Sequence, residues 1–584
     1  MIKAIVTHKS DEIAGSLMAE LGKIKFKNPV VDIQLSVIED STFDWANKNK
    51  IGPEEMLAIW FQAKAVDVEK KRRTKPTFSV NMMDIAQQPE WVNNPCWVAV
   101  LHNPDEGVVR AMAGQLWGDY IRNFDERIGK GWAPWGALPK NSSWALPRDD
   151  NQKGIEIGER IDKALVKIGL VYDSNLSTTW MSGIEYFEIT QTQFAAISKL
   201  MKASICFREA LIILYRENKW AREILNIGRP DFVCQWALDR GMFQDSGTKK
   251  IRLDIAIGEQ GKPWVTELDG TPGGEGIEMG LRRIYLNVLG EPSKGYLLPD
   301  VADGYEQMIK EAAITGPIMF LITADASQYF PEQELKAKVL AERGIRVIVC
   351  RPEDVILDRG VVLVKGERVV AWDRFVETYE LFDPHLRSLA EVSENNGFFS
   401  FPSFKNFVWE GKETFAFLHE PHLEEFWEEK MGSDNFHLLK KHTPFTCFPV
   451  QLDVDILEQK DWYRKRASMG DNQCWGSRGV VFGGKEKQDD WERQLFQDKH
   501  NFLGRTFPYH VYQQAIAHCP YRISFYERSK GKVMEGKFFV RLTPWGYASD
   551  KGILTCGIVA TLRNDPKVHG AKDAVQTVSV IVPD

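Results

Sequence analysis

Residues 252–269 alternate apolar and charged side chains on both sides of a glycine-containing turn at Gly258 to Gly261. This pattern predicts a β-hairpin. Neighbours two apart on a strand face the same way. Arg252 and Asp254 therefore share one face, and Glu267 and Asp269 share one face of the partner strand. Such a hairpin gathers three carboxylates and a guanidinium. Carboxylate oxygens in that number suit Mg²⁺, which binds through carboxylates plus substrate phosphates. An arginine beside them suits a phosphoryl oxygen. A solvated hairpin with ordinary surface charges is the competing reading.

The bulk of the chain narrows the function classes. Its 584 residues suit about two to four domains with ample core. The formal charge of −7 disfavours nonspecific binding to nucleic acid or to anionic membrane, although a local basic groove would not register in a sum. The 19 Trp and 32 Phe supply cores and clefts; as base-stacking platforms they lack the matching positive charge. The eight cysteines are scattered, none in a CxxC, a spacing that fits neither a zinc cluster nor a disulfide framework. The N-terminus does not read as a signal peptide, and no apolar run approaches about 18 residues. A cytoplasmic, reducing-compartment protein is expected, without membrane or nucleic-acid partners.

Four regions are expected: residues 1–165 of mixed α/β character, 166–300 with the acidic hairpin, 301–395 as an inserted α/β unit, and 396–584. A Trp-, Pro- and Gly-rich loop near 130–150 punctuates the first. A helical pattern spans 190–225, and another follows the Gly270–Gly276 stretch to about 289. Within 316–373 the order is strand, helix ending at Gly344, strand, then the apolar run VVLVKGERVVAWD, read as a hairpin. Strand, helix, strand argues for a parallel pair. Later strands are expected at 461–467, 478–483, 536–543 and 552–561.

Three further motifs bear on anion binding. The segment from Cys474 holds glycines at 476, 479, 483 and 484, with Ser477 among them. Glycines let backbone N–H groups approach phosphate oxygens. Arg464, Lys465 and Arg466 lie just upstream; Tyr463 and Lys465 share one strand face, Arg464 and Arg466 the other. Neither a Walker pattern nor GxGxxG is present, and a glycine-rich hairpin turn explains the same residues. Gln514, in the apolar run VYQQAI, can meet an adenine edge or merely satisfy backbone. Arg563, ending an apolar strand, can bind an anion or cap the strand.

In this order the motifs resemble the synthetase domain of glutathionylspermidine synthetase and trypanothione synthetase, a circularly permuted branch of the ATP-grasp ligases. The resemblance spans about residues 170–584. It rests on Arg252-Leu-Asp254, Glu267-Leu-Asp269, Gly411-Lys412, Lys465, Tyr512-Gln513-Gln514 and Arg563. It implies an α/β (α+β) fold of ATP-grasp type with a mixed N-terminal region. It also implies ATP-dependent joining of a carboxylate to an amine through an acyl phosphate, with ATP and Mg²⁺ as cofactors and small-molecule acid and amine substrates. Asp254, Glu267 and Asp269 would hold metal, and Arg252 and Arg563 would act on the transferring phosphoryl group. Lys412, Lys465, Gly476, Ser477, Gly479, Gln513 and Gln514 would bind nucleotide, with 474–484 closing as a lid.

The chain departs from the family in three ways. Asp269 stands where the family has asparagine, which keeps a metal ligand. The lysine strand lacks the following proline, so its register among 464–466 is open. No preceding amidase is visible: Cys96 lacks a histidine partner motif, and a buried structural thiol is the alternative. His8, Asp11 and Glu12 read as a metal set or as a helix cap, and proline breaks the face between His419 and His422. The competing functions are an inactive ATP-grasp scaffold that binds nucleotide or peptide, and a nucleic-acid or assembly protein using the aromatic N-terminal region.

Overall fold

The computed structural model describes residues 152–584 apart from 172–175, 240–248, 396–397, 453–458, 468–469, 475–477, 550–551 and 571–572, together with the strands Ile2–Val6, Val31–Leu35 and Ala145–Pro147. The expectations for His8, Asp11, Glu12, Cys96, Gly476 and Ser477 lie outside the described residues. Among the described residues, no helix is long and apolar enough to cross a membrane.

The fold is mixed α/β. Helix α1 (Gln191–Glu217) begins at Thr190, whose hydroxyl accepts from the Gln193 N–H while Gln193 reaches back, a capping box. The expected hairpin follows as β1 (Lys249–Ile257) and β2 (Pro263–Asp269), then α2 (Glu275–Leu289). Next come β3 (Ile318–Leu321), α3 (Phe330–Ala341), β4 (Val347–Cys350), β5 (Ala371–Asp373) and β6 (Phe399–Phe401). They build a parallel sheet ordered β6-β5-β3-β4. The expected hairpin across 361–373 forms only in part. Val361–Val364 and Glu367–Arg368 pair antiparallel, but Ala371–Asp373 leaves them and joins β3 in parallel. All of β5 is buried, and a doubly covered parallel strand reads in sequence like any apolar run.

A second four-stranded sheet follows: β7 (Thr446–Cys447), β8 (Trp462–Arg466), β9 (Val480–Phe482) and, after α4 (Gln488–Leu503), β10 (His510–Gln514), ordered β7-β10-β8-β9. The chain ends in β11 (Lys532–Ser549), β12 (Gly552–Arg563) and β13 (Val575–Val582), which join the hairpin in a central sheet ordered β13-β12-β11-β1-β2.

Alternation along the central strands divides core from site. Ile251, Leu253, Ile255 and Ile257 of β1, Val540 and Leu542 of β11, and Ile558, Ala560 and Leu562 of β12 pack into the core that contains α1. Lys250, Arg252 and Asp254 therefore emerge on the other face. There Lys250 and Lys336 pair with Glu275 and Asp373 (Lys250–Asp373 2.6 Å, Lys336–Asp373 2.6 Å), and Tyr305 and Tyr547 donate to the same two carboxylates. Two buried cations and two buried anions thus balance. They pin β1 and α2 to α3 and β5, fixing the parallel sheet beside the hairpin.

Candidate active site

The hairpin register sets the chemistry. Arg252 pairs with Asp269 and Asp254 with Glu267, and the register then shifts so that Ile255 faces Val265. The extra residue, Thr266, makes a β-bulge, a device that re-aims groups next to sites. Its carbonyl accepts from the Lys465 Nζ at 3.0 Å and from the Gln513 Nε2 at 3.4 Å. The bulge thereby ties the acidic hairpin to β8 and β10 of the second sheet.

Arg252, Asp254, Glu267 and Asp269 all line one cleft of about 410 Å³. Arg252 holds Asp254 (Nε–Oδ1 2.9 Å) and Asp269 (Nη2–Oδ2 2.9 Å), and donates to the Gly273 carbonyl at 2.7 Å. Gly274, at φ 94, is in the left-handed region that favours glycine, and its N–H donates to Glu332 at 2.7 Å. Lys412, just ahead of the short helix Thr414–Leu418, pairs with Glu267 at 2.9 Å and donates to the Cys474 carbonyl. A smaller cavity of about 80 Å³ adjoins the cleft. It is lined by Lys465, Gln513, Gln514 and Tyr463, and Asp254, Glu267 and Arg541 line both spaces.

Burial pushes the Asp254 carboxyl up, but Arg252 and Arg541 outweigh it and hold it below its ordinary range. Burial raises Asp269 despite Arg252, with Asp254 and Glu267 adding repulsion. Burial brings the Lys465 ammonium down to about 8. Glu377, Glu380 and Glu410 line the same cleft, and Glu377 accepts from the Thr271 hydroxyl at 3.2 Å. Burial and then Glu410 push Glu377 up to about 8.

Three polar atoms on the walls of the smaller cavity are buried without a hydrogen-bond partner: the Tyr463 hydroxyl, Gln514 Oε1 and Arg541 Nε. Buried polar groups are almost always satisfied. These three atoms give the cavity wall hydrogen-bonding capacity for water or a polar ligand.

Lys465 and Tyr463 face the smaller cavity, while Arg464 turns away to Asp498 (Nε–Oδ2 2.6 Å). Two expected residues do not line either cavity. Arg563 binds Asp573 at 2.9 Å, the Lys567 carbonyl at 3.1 Å and the His569 ring, so it braces the 564–570 turn. It faces Phe539 across the sheet, two residues beyond the Arg541–Thr561 pair, or roughly 7 Å along the strand. The guanidinium that joins Arg252 at the acids is Arg541, 3.1 Å from Asp254 Oδ2. Gly479 has the second different placement. A Cβ there would lie 2.4 Å from the Gln473 carbonyl, so its smallness serves close backbone packing beside β9. Arg541, the glutamates and Arg478, which also lines the larger cleft, carry no individual mark in the sequence analysis. For Arg541 a signal existed, since FFVRLT is an apolar strand interrupted by an arginine, whereas Arg563 was marked by ending one.

No family model and no curated protein matches the chain. Among solved structures, a glutathione synthetase-like effector from Globodera pallida in apo form is similar at 12% identity and TM-score 0.48, covering 75% of this chain and 98% of that one. A protein assigned as a gamma-glutamylcysteine synthetase from Methylobacillus flagellatus is similar at 12% identity and TM-score 0.31, covering 62% and 83%. At these scores neither likeness bears on the activity.

Proposed function

We propose that the protein is an ATP-dependent ligase that joins a carboxylate to an amine through an acyl phosphate. On this reading it belongs with the permuted glutathionylspermidine synthetase-like branch of ATP-grasp enzymes. The observation that carries the reading is the junction of the two cavities at Asp254, Glu267 and Arg541, with unsatisfied polar atoms on the smaller side. The base would occupy the smaller cavity against Tyr463 and Gln514. The phosphates would run past Lys465 to Arg541 and Arg252.

The donor set fits Mg²⁺. Asp254, Glu267 and Asp269 supply only hard oxygens, and the burial that raises Asp269 is relieved by a dication. Magnesium held there would screen the phosphate charge. Lys412 and Lys465 neutralise phosphate oxygens, and Arg252 and Arg541 stand where charge develops on the transferring group. Phosphoryl transfer needs such positioning more than covalent help. Glu377, Glu380 and Glu410 line the same cleft, and as acceptors, or as carboxylates once ionised, they would meet the amine substrate. A closed, dry cleft protects the acyl phosphate from water.

The direct test is ADP release from Mg·ATP with mixtures of amino acids, peptides and amines. Release that requires one acid and one amine together supports the ligase. Nucleotide binding without such release assigns the chain to the inactive-scaffold class.

A further inference from the structure

We propose that Asp498 is a positioning residue for nucleotide binding, an inference that rests on the nucleotide lying in the smaller cavity. The carboxylate stands behind β8 and β10, on the face away from the ligand. Arg464 clasps it with two bonds (Nε–Oδ2 2.6 Å, Nη2–Oδ1 3.0 Å). His510 Nδ1 lies 2.7 Å from Oδ1, and the Tyr512 hydroxyl donates to Oδ2 at 2.8 Å. One side chain of α4 therefore holds one residue of β8 and two of β10.

Strand alternation gives those bonds their consequence. Arg464 pairs with Tyr512, and Arg466 with His510. The alternate residues, Tyr463 and Lys465 on β8 and Gln513 on β10, face the cavity, which Gln514 also lines from the last position of β10. A slip by one residue would exchange the two rows. The back row is fixed by a carboxylate that is 1% exposed. Burial pushes that carboxyl up, but His510 and Arg464 outweigh it and keep it ionised. Nearby, Trp491, Leu495 and Tyr512 share a small apolar cluster that seats α4 against the sheet. Apolar packing alone tolerates sliding; a bidentate arginine pair does not. Asp498 thus sets the row that meets the nucleotide without touching it.

The experiment titrates a nonhydrolysable ATP analogue with Mg²⁺ into the wild type, Asp498→Asn and Leu495→Ala by calorimetry, and measures amide hydrogen exchange over 462–466 and 510–514. Asp498→Asn is expected to weaken the analogue by about tenfold, to speed exchange in both strands, and to raise the nucleotide KM while sparing kcat at saturation. Leu495→Ala, a packing control on the same helix, is expected to lower Tm and leave Kd within about twofold. Unchanged affinity and exchange in Asp498→Asn overturn the proposal, as does an equal loss of affinity in Leu495→Ala. Should Asp498→Asn not fold, Tyr512→Phe removes one donor from the same carboxylate and is expected to act in the same direction, more weakly. Should the wild type bind no analogue, the nucleotide reading fails, and the exchange data still decide whether Asp498 fixes the two strands.

Discussion

The two walls of the site are built on opposite plans. On the central sheet, every carboxylate of the hairpin is already engaged: Asp254 by Arg252 and Arg541, Asp269 by Arg252, and Glu267 by Lys412. On the second sheet the strong pairings lie behind, at Asp498, and the front keeps a neutral tyrosine hydroxyl and a glutamine oxygen without partners. A ligand would have to displace ion pairs on the first wall, whereas on the second Tyr463 and Gln514 would add bonds and only Lys465 and Gln513 would exchange their bonds to Thr266. On the proposed ligase reading, preorganised charge would serve the chemical step and open hydrogen-bonding capacity would serve affinity.

This contrast orders the expected effects of substitution. The largest belongs to the hairpin. Asp254→Asn keeps the shape and removes the charge, and kcat for Mg·ATP turnover is expected to fall by a factor equivalent to about 3–4 kcal/mol. Steady-state kinetics on folded protein check it, and a kcat near wild type removes Asp254 from the phosphoryl step. Second is the arginine pair. Arg541→Ala is expected to cost about 2–4 kcal/mol in kcat/KM. Arg563→Ala, which frees only the 564–570 turn, is expected to cost about 1 kcal/mol. The reverse ranking in parallel assays restores the phosphoryl role to Arg563.

Third is a pH effect on affinity. Burial sets the Lys465 ammonium at about 8 in the free protein. Nearby phosphate favours its charged form and raises that value, so binding takes up a proton above pH 8. Nucleotide affinity is then level below pH 8 and falls as pH rises beyond it. Lys465→Arg should flatten the profile, and calorimetry in buffers of different ionisation heat counts the protons. A wild-type profile flat to pH 9.5 contradicts the phosphate contact. The smallest effect is expected at Glu377. Its carboxyl, raised to about 8, is largely protonated at pH 7 in the free protein. Glu377→Gln should therefore change the amine KM by less than about threefold at pH 7 and by more at pH 9, once the wild-type carboxyl ionises.

Sequence made the hairpin legible because alternation and turn agree over residues 252–269, and the structure brings all four named side chains into one cleft. It also gave α1, α2 and β10, whose apolar periodicity is long or whose composition is distinctive. It could not place β5, because a buried parallel strand after a hairpin carries no mark of its partner. Nor could it rank Arg541 above Arg563. Arg563 ends an apolar stretch and Arg541 interrupts one, and only the pairing of β11 with β1 puts Arg541 beside Asp254. Glu377 and Glu380 lie in the connection after β5 and Glu410 lies beyond β6, in segments where charged residues are ordinary. The register of 464–466 depended on Asp498, more than thirty residues away along the chain.

The most direct measurement is a crystal structure with a nonhydrolysable ATP analogue and Mg²⁺. The base is expected in the smaller cavity within hydrogen-bond reach of Gln514 or Tyr463, with the terminal phosphate between Arg541 and the Asp254–Glu267–Asp269 set. A nucleotide seated elsewhere, or phosphates that leave those three acids paired only with Arg252, Arg541 and Lys412, would contradict the convergence of the two walls on one ligand.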